Sequence, residues 1–416
     1  MFVRTSSKLK RADVALVRQH NERLVLRAIW DAVTISRADL SRQTGLARST
    51  VSDIVQTLLQ SGLLVESRMP SSGVGRPPIA LRFDETRFCI VGVEMGASHL
   101  AVAVTNLRGG VIAHHWVALP VESRPDLTVP RLVEEIAGTL EDAGCSVRDL
   151  VGIGIAVPCP LDSSTPNRLS ARILPAWADV DLLGAITAEF DVPILMENDA
   201  NAGALTELWW GPDLDVPDIT YVKVATGVGA GHIIGGSLYR GSSGIAGEIG
   251  HTAIVEHGPQ CRCGLYGCLE AMVGAGYLED RAAIRSADES SLPRDAKLVD
   301  IVAAAQDGDA FSTKIIGEAG HYLGIAVANL FNLLNPSVIV LGGPITRAGD
   351  LLLEPLESAV RERALVTALD RDEVRITEFG ELAIATGAAT LVLDAALADP
   401  SLFPTTGDAR RQAHRA

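Results

Sequence analysis

The chain has 416 residues, 47% of them hydrophobic and 21% charged, which exceeds one small domain and excludes a disordered, collagen-like or low-complexity protein. Its formal net charge of -15 argues against nucleic acid only until it is divided: residues 1–84 hold 13 basic against 7 acidic side chains, the remainder 23 against 44. A head of +6 on a body of -21 is the asymmetry expected when one domain meets phosphate and the other stays soluble.

Residues 1–20 contain no apolar run with a small-residue cleavage site, so no secretory signal is expected. The head then reads as three helices and a hairpin. Leu24, Val25, Ala28 and Ile29 place a first helix over 21–32. Ser36 followed by Asp39 opens a second helix that Gly45 ends. Val51, Ile54, Val55, Leu58 and Leu59 define a third, closed by Gly62.

Two short helices joined by a tight turn are the helix-turn-helix layout, whose second helix offers its N-terminal residues to the major groove. Arg48, Ser49, Thr50 and Ser52 stand there, with donors for phosphates and base edges. Strands at 63–68 and 79–83 flank a wing at 71–78, in which Arg76 sits on a stiff Gly-Arg-Pro backbone suited to a narrow minor groove.

From residue 88 strands alternate with helices: a meander at 88–93, 100–105 and 111–117, a helix over 132–143, and strands at 151–156 and 192–196. A strand-turn-strand at 221–234, further helices, a strand at 338–341 and a helix over 382–397 follow. The most apolar long segment, 324–343, is interrupted by Asn329, Asn332, Asn335 and Pro336 and makes a poor membrane span. The expectation is a soluble, cytoplasmic protein without membrane insertion. Segments 285–297 and those after 399 read as mobile and polar.

Cys89, Cys145 and Cys159 are dispersed and read as buried, reduced thiols. His251, Cys261, Cys263 and Cys268 are different: three soft donors and an imidazole within 18 residues form a Cys3His set for structural zinc. With all four donors used, the metal would fix a loop and perform no chemistry. Glu248 and Glu270 flank the ligands, and Asn198 and Asp199 end a strand, so two walls of planar acceptors could meet sugar hydroxyls.

The run 36–64 followed by Gly75-Arg76-Pro77 resembles the winged helix-turn-helix of ROK-family regulators. The stretches 247–251 and 261–270 are similar to the ROK zinc motif. The resemblance implies an α/β chain: a DNA-binding head over 1–84, a first actin/hexokinase-like, ribonuclease-H-like lobe over 85–200 closed by a helix at 380–400, a second lobe over 201–380 with the zinc loop, and a tail at 401–416. It maps Asn198, Asp199, Glu248, His251 and Glu270 onto sugar ligands, with Asp199 also at the place of a kinase base. One departure is Ala47, where a Ser cap usually opens the recognition helix.

Kinases of this family carry Asp-x-Gly-Gly-Thr in the first phosphate loop; here Glu94-Met95-Gly96-Ala97-Ser98 stands instead. The longer acid displaces the carboxylate, and Ala97 places a methyl group where glycine would permit close approach or positive φ. The second loop, Thr226-Gly227-Val228-Gly229, is nearly intact, and Gly342-Gly343 stands where the family places adenosine. The expected function is a sugar-responsive regulator, a repressor of carbohydrate genes, that binds operator DNA as a homodimer or homotetramer and does no catalysis. The alternative is an ATP-dependent, glucokinase-like sugar kinase with an appended DNA-binding domain.

Overall fold

A computed structural model describes residues 14–32, 34–68, 79–165, 167–213, 216–285, 290, 292–365 and 373–404. Arg76 and the wing expected at 71–78 lie outside these residues.

The head contains α1 (Val14–Asp31), β1 (Ile35–Ser36), α2 (Arg37–Thr44), α3 (Arg48–Gln60), β2 (Leu64–Arg68) and β3 (Ile79–Phe83). Helix α1 begins well before residue 21, in a stretch of good helix formers braced by an Arg18–Glu22 pair at 3.0 Å. Ser36 caps α2 as the spacing predicts, accepting from the Asp39 amide at 3.2 Å, and Gly45 ends the helix at φ 71°. Val51, Ile54, Val55 and Leu58 form the buried face of α3, each such side chain contributing roughly 1.5–3 kcal/mol. The two-residue β1 completes an antiparallel sheet of order β1-β3-β2, with Ile35 opposite Leu81.

The body begins with β4 (Cys89–Met95), β5 (His99–Asn106), β6 (Val111–Ala118), α4 (Pro125–Asp142), β7 (Leu150–Val157), α5 (Leu182–Phe190) and β8 (Ile194–Asn198). Helix α4 starts seven residues ahead of the expected 132, because Pro125 fits its first position, where no amide donor is needed. Next come α6 (Asp199–Trp210), β9 (Ile219–Val224), β10 (Val228–Ile234) and β11 (Ser237–Tyr239). The chain continues through α7 (Glu270–Val273), α8 (Ala275–Ile284), α9 (Leu298–Gln306) and α10 (Ala310–Leu334). It closes with β12 (Val338–Gly342), α11 (Asp350–Arg363), β13 (Val374–Ile376) and α12 (Ala383–Ala398).

Two five-stranded sheets repeat one topology. Their orders are β6-β5-β4-β7-β8 and β11-β10-β9-β12-β13, each with three antiparallel strands followed by two parallel ones. Strands β4, β7, β9 and β12 are buried throughout, as the central strands of sheets covered on both faces must be. Helices α6 and α12 cross between the sheets. At Gly387 a Cβ would sit 1.7 Å from the Ala202 carbonyl, so glycine is what lets the helices touch. Residues 380–398 form the one helical stretch among the described residues long and apolar enough to cross a membrane, and 67% of its most apolar window is buried here as core.

The head shares its core with the first sheet. Trp30 of α1 meets Phe83 edge-on at 5.0 Å and lies 6.2 and 6.4 Å from Trp209 and Trp210 at the end of α6. Arg108 donates to the Trp30 carbonyl at 2.8 Å and stacks over its indole at 3.9 Å. Within the segments expected to be mobile, Ala296 is buried, and Pro400–Leu402 forms a short turn that places Phe403 in the shared core, 6.0 Å from Phe88; residues 286–289, 291 and 405–416 lie outside the described residues. Cys89 and Cys159 are buried as expected, whereas Cys145 is partly exposed just after α4.

Candidate functional site

On the head, α3 buries its apolar face and turns Arg48, Ser49 and Ser52 outward, with Thr50 half-buried beside them. Ala47 occupies the cap position and makes no side-chain bond, leaving amides at the helix N-terminus open to an anionic partner.

In the body, Asn198 is first a structural cap. Its Oδ1 accepts from the Ala200 and Asn201 amides at 3.0 and 3.2 Å, while Nδ2 donates to the Cys159 carbonyl at 3.3 Å. Glu197, not anticipated from sequence, is buried behind it: one oxygen accepts from the Asn198 amide at 2.9 Å, the other from Arg240 at 2.8 Å. Asp199 opens α6, where the helix dipole favours its charge. Its Oδ1 accepts from the Ala200 amide at 2.7 Å.

The other oxygen of Asp199 accepts from Lys223 Nζ at 2.7 Å, and the same ammonium donates to Glu94 Oε1 at 3.1 Å. All three side chains are nearly inaccessible. Burial alone would raise the Glu94 carboxyl, but the Lys223 charge and a bond from His99 hold it well below the usual carboxylate range. Burial likewise opposes the Lys223 charge, and the two carboxylates outweigh it and push its pKa up. His99 stacks on Trp116 with ring centroids 5.6 Å apart and lies so close over Gly96 that a Cβ there would be 2.2 Å from the imidazole.

The segment 94–98, expected to be the first phosphate loop, thus meets the side chains of Lys223 and His99. Among the described residues the non-glycine positions with positive φ are Asp191 and Asn335, so Ala97 does not adopt the conformation that would penalise it. The second loop is a tight hairpin between β9 and β10, closed by an Ala225 amide to Gly227 carbonyl bond at 3.0 Å. At Gly342 a Cβ would be 1.8 Å from the Tyr221 hydroxyl, so the glycine is explained by packing within the sheet.

His251, Cys261, Cys263 and Cys268 converge, with one donor atom from each lying within 4.8 Å of the others. His251 Nδ1 is 3.6 Å from Cys261 Sγ, and Cys263 and Cys268 sulfurs are 3.7 Å apart. Tetrahedral zinc with bonds of about 2.3 Å spaces its sulfurs about 3.8 Å apart, so the donor set fits that ion. Glu248 lies 3.8 Å from His251 Nε2. Burial, then the charges of Asp199 and Glu270, push its carboxyl up to about 7. The two Glu270 oxygens accept within the protein, one from the Val228 amide at 3.0 Å and the other from Arg262 Nε at 2.8 Å, and each carboxylate oxygen has a second lone pair. Glu248 thus stands beside His251 and within electrostatic reach of Asp199 and Glu270, while Asn198 caps the helix that Asp199 opens. Sequence reasoning missed Lys223, Arg262 and Glu197.

A model of the "ROK family" matches residues 90–395, and one of a "Winged helix-turn-helix DNA-binding" domain matches 18–65. The chain belongs to the ROK family. It is 33% identical over 388 residues to the "Xylose repressor" of Bacillus subtilis (strain 168), across 92% of this chain and 97% of the relative. A solved ROK family transcriptional regulator, a homologue of the E. coli MLC protein, superposes with a TM-score of 0.75 at 28% identity, over 93% of this chain and 98% of that one. A ROK family glucokinase from Streptomyces griseus, solved with glucose and AMPPNP, superposes with a TM-score of 0.64 at 27% identity. It covers 73% of this chain and 98% of its own. The regulator thus covers more of this chain than the kinase does, 93% against 73%.

Proposed function

We propose that this ROK protein is a sugar-responsive transcriptional regulator, a repressor of carbohydrate genes that acts in the cytoplasm as a homodimer or homotetramer on operator DNA. The observation that carries the reading is the path of α6. Its first residue is Asp199 of the candidate sugar wall, and its last two, Trp209 and Trp210, pack on Trp30 of the head. Twelve helical residues make a strut about 18 Å long between the two.

Asp199, Glu248, His251 and Glu270 supply acceptors and a ring nitrogen for sugar hydroxyls, and Asn198 holds the α6 end in place. Arg48, Ser49, Thr50, Ser52 and Arg76 supply the donors for DNA. His251, Cys261, Cys263 and Cys268 hold a structural zinc, which when bound supplies closure of the loop carrying Glu248 and Glu270. A sugar that draws the cleft together displaces α6 and, through Trp30, the recognition helix. Release follows only if sugar binds the weak-DNA arrangement more tightly.

Operator duplexes selected from random DNA by the purified protein, then titrated with D-xylose, D-glucose and N-acetylglucosamine, test this. One sugar is expected to lower operator affinity at least tenfold. Unchanged affinity with every sugar counts against the reading, and sugar phosphate formed from ATP and lost in Asp199→Asn favours the kinase instead.

A further inference from the structure

The chain contains five lysines, and Lys223 is the one that is buried among the described residues. It stands in β9, whose other five residues are also buried. An ammonium ion there is tolerable only when paired. Its two partners come from distant segments: Glu94 is the penultimate residue of the first sheet's central strand, and Asp199 opens α6. A buried ion trio is a weak source of stability, since apolar side chains of similar volume often do as well. What it does is dictate which cation sits between these two carboxylates.

Phosphoryl transfer needs magnesium near the first-loop acid and a free base for the accepting hydroxyl. A magnesium ion binds carboxylate oxygen at about 2.1 Å. On either carboxylate it would lie within a few ångströms of the Lys223 ammonium, which is already 2.7 and 3.1 Å from them. Like charges that close in a buried site repel strongly. His99 lies directly over Gly96 of the first loop as well. These residues do not fit a metal-bound nucleotide.

We propose that Lys223 is the cleft's resident cation: it takes the place of the metal and nucleotide, joins β4, α6 and β9 across the two sheets, and makes the sensor indifferent to ATP. The inference rests on reading the cleft as an effector site, but its test does not need the effector. Removing the ammonium leaves two buried carboxylates facing each other, and these become a site for a divalent cation.

Thermal unfolding of the full chain is followed with and without millimolar Mg2+ or Mn2+, alone and with AMPPNP. The unaltered protein is expected to show no shift with either. Lys223→Met is expected to melt lower and regain several degrees with divalent cation; the double variant Glu94→Gln, Lys223→Met is expected to fold without that response. If Lys223→Met does not fold unaided, Mn2+ in the refolding buffer is expected to rescue it. Stabilisation of the unaltered protein by magnesium and AMPPNP overturns the proposal, as does a Lys223→Met chain, folded or not, that ignores divalent cations. Sugars added in parallel runs report on the effector reading separately.

Discussion

Arg262 donates from Nε to Oε1 of Glu270 at 2.8 Å, so the residue between the first two cysteines is tied to the carboxylate that opens α7. The other Glu270 oxygen accepts from the Val228 amide, which links the cysteine loop to β10. The two bonds are unequal. Arg262 is nearly half exposed, so its ion pair is screened and contributes below about 1 kcal/mol. The bond from the Val228 amide is buried and escapes that screening. Glu270→Ala is therefore expected to cost about 1–3 kcal/mol and Arg262→Ala less, measured from urea midpoints. The opposite order would contradict this account.

Metal analysis of the purified protein is expected to find one zinc per chain. Chelation, or Cys263→Ser, should lower the melting temperature and weaken the sugar response, because the loop carrying Glu248 and Glu270 loses its closure. Full stability of metal-free protein would refute the structural role.

On the head, Ala47→Ser is expected to stabilise the protein by about 1 kcal/mol by supplying the absent cap. Arg48→Ala should weaken operator binding and, if Arg48 meets a phosphate, flatten the plot of log affinity against log salt by a slope of about 1. Operator titrations across a salt series measure both.

His115 lies between two carboxylates, with Nδ1 2.7 Å from Glu135 and Nε2 2.9 Å from Asp142. The bond to Asp142 raises its pKa above 6.5 against the pull of burial, with Glu135 adding to the rise. A folded value above the unfolded one adds stability that is complete below pH 6.5 and lost as pH climbs through the raised value. His115→Gln should thus cost most in denaturant melts at pH 6 and little at pH 9.

Much of this architecture is legible in the sequence because each signal is local. The cap at Ser36, the apolar face of α3 and the four metal-type donors all fall within short windows. What escapes has no local signature. Lys223 is 129 residues from Glu94 and 24 from Asp199, and the hint was a lone lysine in an otherwise uncharged strand. The strand Ile35–Ser36 is too short for any periodicity, and Phe403 reads as tail until the core it enters is known. The glycine pair expected at the adenosine position illustrates the converse: Gly342 is a family landmark in sequence, yet Tyr221 alone accounts for it in space.

The indole of Trp30 has a bearing on how such regulators can be recombined. A reading head grafted at residue 84 would arrive with Trp30 and Phe83 facing a foreign surface, and the recipient's Trp209 and Trp210 would lose their cover. Head and sensor fit each other as a matched pair. A chimaera that exchanges them must carry the end of α6 and the turn around Phe403 along with the head, or it will trade one specificity for an exposed aromatic patch.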